Sequence, residues 1–318
     1  MAKPFIKWVG GKSQILDQIN QLTPTKIDTY YELFVGGGSV FINLLNRCEN
    51  QTVNIKKFVI NDINTALIYC YNTIKNQPNE LISKLTEINN IYSDANPSET
   101  VKRAKIKVDN LDEAISKGQT WIYYYYRQLY NQLVEQSEFT ITTAALFIFL
   151  NKTCFRGLYR VSRNKFNVPF GHYKNPNICD SDNILELNKL FNKYNIEFIN
   201  FNIFDINRVV IGGSKNLSSG LPDSKIKFKK NDHLYLDPPY SPITKDSFVT
   251  YFNDFTLADN DKLYELCDNL KCKFLLSNSY CDYITNKWKK YTMIKILCKR
   301  LINSKNPSDK NFEYLIHN

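Results

Sequence analysis

The chain has 318 residues, of which 43% are hydrophobic and 23% charged, an ordinary balance for a globular protein with a sizeable core. Its 41 basic and 31 acidic side chains leave a net charge of +10, which favours a polyanionic partner such as nucleic acid. Eight scattered cysteines without C-x-x-C pairs and three unclustered histidines argue against a disulfide framework and against a structural metal site. The absence of an apolar leader or a long apolar run argues against secretion and membrane insertion. An intracellular protein with reduced thiols is expected.

In chain order, residues 29–33 read as a strand, the stretch FVGGGS as a tight turn and 40–45 as a helix. A second strand at 58–60 ends in Asn61-Asp62 and runs into another helical stretch, which completes a βαβ unit and implies a parallel sheet. From 78 to 150 the pattern is helical, with Trp121, Ile122, Tyr125, Leu129 and Leu133 on one predicted apolar face. The tyrosine-rich string YYYYRQLY within it reads as core rather than as a base-stacking platform. Residues 157–161 and 166–168 read as two strands around a polar tip at 162–165. Segment 209–230, rich in Gly, Ser and Lys, reads as a mobile surface loop. Strands return at 196–201, 233–236 and 273–276, and 291–297 with 312–316 forms an antiparallel pair. The class is therefore α/β, a parallel sheet interrupted by an inserted, mostly helical domain that carries a β-hairpin.

Ligands of open α/β sheets bind beyond the carboxyl ends of the strands. Three such ends carry conspicuous groups. The first is Glu32-Leu-Phe-Val-Gly-Gly-Gly38, a turn whose glycines allow close backbone approach but whose spacing is that of neither a dinucleotide fingerprint nor a P-loop. The second is Asp62, placed either to grip ribose hydroxyls or to cap a helix. The third is the stretch HLYLDPPY, where a buried strand stops in an acid followed by two prolines. Prolines end the ladder and leave backbone carbonyls free to accept. An exocyclic amine could then donate one hydrogen to Asp237 and the other to the Pro238 carbonyl, while Tyr240 stacks on the heterocycle.

D-P-P-Y after a strand resembles the catalytic motif of the amino-methyltransferases, and Asp in its first position resembles the adenine-N6 type. The stretch FIKWVGGK at 5–12 is similar to the FxKWxGGK motif of the DNA adenine methyltransferase (Dam, or D12) family, and the glycine turn to its E-x-F-x-G-x-G. Residues 151–160 with FNVPFG at 166–171 resemble that family's recognition hairpin, and 255–257 with 276–278 its later motifs, so the likeness spans nearly the whole chain. It implies a Rossmann-like, S-adenosylmethionine-dependent methyltransferase sheet from 1–66 and 190–318. A target-recognition domain is then expected at 67–189, with a DNA-reading hairpin near 156–172.

The resemblance assigns Asp237, Pro238 and Tyr240 to catalysis. It assigns Trp8, Lys12, Glu32, Phe34, Gly36, Gly38, Asp62, Asp205 and Asp237 to the cofactor. It assigns Arg156, Leu158, Arg160, Arg163, Lys165, Pro169 and Tyr173 to DNA. Segment 139–179 has six Lys or Arg and no Asp or Glu, which suits a polyanion. Arg160 is the expected guanine reader, Arg163 and Lys165 the expected phosphate contacts. Cys154 beside the hairpin reads as buried packing, and residues 241–255 are expected to close over an extruded base. The implied reaction is methyl transfer to adenine N6 in double-stranded DNA after base flipping, with GATC the expected target. No metal or membrane enters it, the enzyme is expected to act as a monomer, and pairing with a restriction endonuclease is compatible with it. The alternatives are an RNA adenine methyltransferase, against which the FNVPFG segment argues, and an inactive DNA-binding relative, against which the intact D-P-P-Y argues. Arg156 departs from the family, where Asn usually precedes Gly-Leu.

Overall fold

The structure is a computed structural model that describes residues 1–97, 108–208, 226–240, 255–299 and 310–318. Residues 209–225 of the expected loop, and 241–254 of the expected closing segment with its Phe248, Tyr251 and Phe252, lie outside the described residues. The strands are β1 (Lys26–Glu32), β2 (Asn54–Asn61), β3 (Val161–Ser162), β4 (Lys165–Phe166), β5 (Ile196–Ile199), β6 (His233–Leu236), β7 (Lys273–Ser279), β8 (Thr292–Lys299) and β9 (Lys310–His317). The helices are α1 (Leu16–Leu22), α2 (Ser39–Glu49), α3 (Thr65–Asn76), α4 (Pro78–Asp94), α5 (Leu111–Lys117), α6 (Gln119–Glu135), α7 (Ile141–Thr153), α8 (Ser181–Lys193), α9 (Leu257–Asp268) and α10 (Asp282–Trp288). They fall into two compact units. One comprises Met1–Gly11 and Asn64–Lys193, the other Lys12–Ile63 and the described residues from Tyr194 onward.

The second unit is built on a seven-stranded sheet in the order β5-β2-β1-β6-β7-β9-β8. Pairing is parallel from β5 to β7 and antiparallel for β7 with β9 and β9 with β8. All four residues of β6 are buried, as expected of a central parallel strand covered on both faces. Leu234, Leu236, Phe274, Leu276, Trp288 and Ile316 belong to one buried cluster of this unit. From β1 the chain proceeds to β2 and β5 on one side, and from β6 to β7 on the other. The order therefore reverses between β1 and β6, which makes their carboxyl ends the switch point where ligands bind.

The first unit is helical. Its central helix, α7, is apolar almost all round and buried from Thr143 to Thr153 except at Lys152. A reciprocal Thr140–Thr143 capping box starts it. Of the predicted face of α6 only Ile122 is buried, beside Tyr123, Tyr126 and Tyr130, while Trp121, Tyr125, Leu129 and Leu133 are only half-buried. The reason lies in the hydroxyls. Tyr123 Oη donates to the Val168 carbonyl at 2.8 Å, and Tyr130 Oη lies 3.2 Å from that of Tyr159. Buried tyrosines with partners incur little desolvation cost. Trp121 instead lies beneath the Lys117 ammonium.

The first eleven residues, expected with the sheet, group with the helices. Asn183 accepts from the Lys3 amide and donates to the Lys3 carbonyl, at 3.0 and 2.9 Å. Asn151 does the same for Lys7, at 2.8 Å each way. Two buried asparagines thus anchor the backbone of this segment at Lys3 and Lys7.

Candidate active site

The carboxyl ends of β1, β2 and β5 are stitched together by one side chain. Asn61, the last residue of β2, donates to the carbonyls of Leu33 and Phe201 at 3.0 and 3.2 Å and accepts from the Phe201 amide at 3.0 Å. Beyond this stitch the chain after β1 turns sharply, with positive φ at Gly36 (48°) and Gly38 (74°). These dihedrals need glycine. The turn delivers Gly38 to the start of α2, and the Gly36 amide donates to Asp62 Oδ2 at 2.9 Å. Asp62 therefore braces the glycine turn. It does not cap α3, because Asn64 accepts from the Leu67 amide in that role.

Glu32 closes β1 and is 2% exposed. Tyr30 Oη donates to it at 2.6 Å, and the Phe41 amide also bonds it. Burial, with the Asp237 charge adding to it, raises its pKa to about 8 against the pull of those two donors, so the free protein holds it protonated at neutral pH. Asp237 follows β6 directly. Lys12 places Nζ 2.8 Å from Asp237 Oδ1 and is itself 5% exposed, which removes it from the class of solvated surface lysines. Burial pushes the Asp237 carboxyl up to about 6, while Lys12 pulls the other way. The Lys12 amide donates to Ser39 Oγ at 3.0 Å, which anchors this lysine to the glycine turn as well.

Pro238 is buried after Asp237. The Tyr240 ring lies with its centroid 5.1 Å from the Lys12 ammonium, and its hydroxyl donates to Glu313 Oε2 at 2.9 Å. Below them the Tyr235 and Ser277 hydroxyls are 2.9 Å apart. Phe34 is half-buried and meets Phe255 edge-on, while Asp205 is exposed in a 3-10 turn at Ile203–Arg208. In this unit the structure therefore brings Lys12, Glu32, Asp237 and Tyr240 into one electrostatic cluster and ties Asp62 to Gly36. Such an arrangement offers carboxylates for an amine or ammonium, a turn that a ligand can approach closely, and an aromatic face.

The recognition segment lies in the helical unit and is shorter in ladder than expected. Only Val161–Phe166 and Ser162–Lys165 pair, around a two-residue turn with φ of 51° at Arg163 and 60° at Asn164. Residues 157–160 are not a strand: the Gly157 and Leu158 carbonyls are claimed elsewhere, and the Arg160 carbonyl accepts across the legs, from the Asn167 amide at 3.1 Å. Arg156 (φ 57°) and Gly157 (φ 63°) turn left-handed in a 3-10 turn. Asn151 takes the Gly157 carbonyl at 3.2 Å, and the buried Cys154 thiol takes that of Leu158 at 3.2 Å. The legs meet again where Phe155 N–H reaches the Pro169 carbonyl and Gly171 N–H that of Thr153, at 2.8 and 2.9 Å. One helix supports the far leg: Tyr123 and Arg127 donate to the Val168 carbonyl, and Asn131 pairs both ways with the Phe166 backbone.

On this frame Arg163 and Lys165 sit exposed at the tip, and Lys165 reaches Glu135 at 3.1 Å. Arg160 donates through Nε to Asn167 Oδ1 at 2.7 Å, so the guanidinium is oriented across the hairpin. Arg156 is exposed over the Phe155 ring, Leu158 and Pro169 are half-buried, and Tyr173 carries the Lys7 ammonium 4.5 Å from its ring. Trp8 stacks on Tyr159 at 5.6 Å. Sequence reasoning passed over Asn61, Asn151 and Glu313. Asn61 and Asn151 could have been found as polar residues at buried positions of a strand and a helix. Glu313 carries only the faint signal of an acid within an apolar alternation. Among the described residues no helix is long and apolar enough to cross a membrane, and no group of His, Cys, Asp or Glu is arranged to hold a metal.

The chain matches the model of the D12 class N6 adenine-specific DNA methyltransferases over residues 8–212 and 222–302. It is 34% identical to the Type II methyltransferase M.MjaIII of Methanocaldococcus jannaschii, covering 99% of each chain. It is 30% identical to the Type II methyltransferase M1.LlaDCHI of Lactococcus lactis subsp. cremoris over 96% of this chain and 91% of the other. With the DNA adenine methylase of Escherichia coli K12 it shares 26% identity, over 99% and 94%.

Proposed function

The chain belongs to the D12 class of N6 adenine-specific DNA methyltransferases, and from that premise we propose that it uses S-adenosylmethionine to methylate the adenine of GATC in duplex DNA after flipping it from the helix. The observation that carries this reading is the Asp237, Lys12 and Tyr240 cluster at the sheet's switch point. The residues around it fit the cofactor. Gly36 and Gly38 let its backbone-facing parts approach, Asp62 suits the ribose hydroxyls, and Glu32 suits a cationic amino-acid head. Phe34 and Asp205 of the same unit complete the set there, and Trp8 of the helical unit is carried over from the family motif alone.

Held by Gly36, Gly38, Asp62 and Glu32, the cofactor would supply a methyl group on a sulfonium, whose carbon–sulfur pair would leave with a neutral thioether as the N6 lone pair took the methyl. The protein's part is positional and electrostatic. Asp237 accepts one N6 hydrogen and the Pro238 carbonyl the other, which turns the lone pair out of conjugation with the ring. Tyr240 stacks on the extruded base. Positive charge that develops on N6 meets the Asp237 carboxylate, and the departing proton passes through it to solvent. Lys12 keeps that carboxylate ionised in a site where burial favours its neutral form.

In the recognition segment, Arg160 reads a guanine with the end of its guanidinium away from Asn167. Leu158, Pro169 and Tyr173 meet bases or sugar, and Arg156, Arg163 and Lys165 meet phosphates. The enzyme acts as a monomer. The test is transfer of tritium from labelled cofactor to two duplexes that differ only at the GATC adenine. Label on the GATC duplex alone, lost in Asp237→Ala, supports donor, site and target. Equal label on both removes GATC and keeps the reaction. Label on structured RNA alone replaces the substrate class.

A further inference from the structure

One acid at the carboxyl end of the sheet is absorbed by none of the motifs. β9 runs antiparallel to β7, so its first residues arrive where the parallel strands finish. Glu313 pairs there with Ser279, the last residue of β7, and with Ile296 of β8. Tyr314 and Ile316 belong to the buried cluster of this unit, and the alternation of a strand sends Glu313 to the other face. Its carboxylate accepts from Tyr240 Oη at 2.9 Å and is hydrogen-bonded as well to the Cys298 thiol of β8. Tyr240 in turn lies against Lys12, which is paired with Asp237. Hydrogen bonds to a charged acceptor are the strong ones, and a phenol tip so held leaves its ring little freedom.

We propose that Glu313 is a positioning residue for methyl transfer: through the Tyr240 hydroxyl it fixes the plane against which the target base stacks, and its charge is part of the field at Asp237. The inference rests on the reading of Tyr240 as the stacking wall. The groups facing Asp237 are Lys12 from the turn before α1, Glu32 at the end of β1, Tyr235 of β6, Tyr240 itself, Cys298 of β8 and Glu313 of β9. Among them Glu313 adds negative charge and acts to raise the Asp237 pKa, Lys12 acts to lower it, and Glu32 is held protonated at neutral pH.

Three variants separate the hydrogen bond from the charge and both from folding. Methyl transfer by the wild-type protein is measured first on the duplex that it labels. Glu313→Ala is expected to lower kcat about tenfold, the scale of a modest misplacement of a reacting partner, with the KM for cofactor within about twofold. Glu313→Gln keeps an acceptor for the tyrosine and is expected to restore kcat at pH 8, while its acid limb moves to lower pH. In a Tyr240→Phe background, Glu313→Ala is expected to change kcat at pH 8 by less than about twofold, because the hydroxyl that transmits the effect is gone. An active enzyme whose kcat and pH profile ignore Glu313→Ala, even with a lower melting temperature, overturns the proposal and leaves the reaction standing. An equal loss with and without the Tyr240 hydroxyl also overturns it. A wild-type protein that labels no DNA overturns the reading of Tyr240 itself, and this inference with it.

Discussion

Lys12 and Asp237 form their ion pair almost out of water, whereas Lys165 holds Glu135 at an exposed hairpin tip. The difference has energetic consequences. A buried pair is expensive to break because the partner left behind keeps its desolvation cost, and burial moves its protonation equilibrium. An exposed pair contributes little, exchanges readily with phosphates and is screened by salt. The first arrangement suits chemistry on one atom, the second suits a long polyanion. Backbone support differs in the same sense. Strand ends stitched by Asn61 hold the catalytic cluster, while side chains of α6 and α7 hold the reading segment.

The sharpest way to break this comparison is to remove the acid. Asp237→Ala is expected to lower kcat by about 10²–10³-fold, the range for losing one group that stabilises developing charge, with DNA affinity retained. Single-turnover rates and a gel-shift titration check both halves. Arg160→Ala should do the reverse: kcat within a few-fold, and discrimination between target and base-substituted duplexes reduced by about 1–3 kcal/mol. Competition between the two duplexes measures it.

The pH profile sharpens the contrast further. Methyl transfer needs ionised Asp237, so kcat/KM is expected to fall as pH drops through about 6, where burial sets this carboxyl. Lys12→Met removes the charge that favours ionisation, and the acid limb should move to higher pH. A limb unmoved by that change would remove Asp237 as the titrating group.

On the recognition side, Gly171 admits no side chain, since a Cβ there would come within 2.6 Å of the Cys154 carbonyl oxygen. Gly171→Ala is expected to cost about 1–3 kcal/mol of stability and to weaken DNA binding, with cofactor binding by the sheet unit unchanged. Thermal melting with and without cofactor tests this.

The smallest effect is a proton. Glu32 is held near pKa 8 in the free protein, so a cationic head group set against it should release up to one proton near pH 7 and fewer above pH 8. Calorimetry in buffers of different ionisation enthalpy counts that proton, and Glu32→Gln should abolish its release.

The sequence by itself determined the parts whose signals are local. A strand that stops at Asp237-Pro238-Pro239, glycines that only a left-handed turn requires, and a helical pattern running from 78 to 150 were all legible from neighbours in the chain. The antiparallel pair at the end of the sheet was legible for the same reason. Tertiary structure decided the rest. Which face of α6 is buried depended on hydroxyl partners at Tyr159 and Val168, and hydropathy assigns those tyrosines no such partners. The length of the reading hairpin depended on Asn151 and Cys154 claiming carbonyls that a ladder would have used. Lys12 reads as a surface charge until β6 brings Asp237 to it, and Glu313 reads as a solvated strand residue until Tyr240 reaches it from 73 positions away. Local pattern reports what a residue prefers; the company that satisfies a buried polar group comes only from folding.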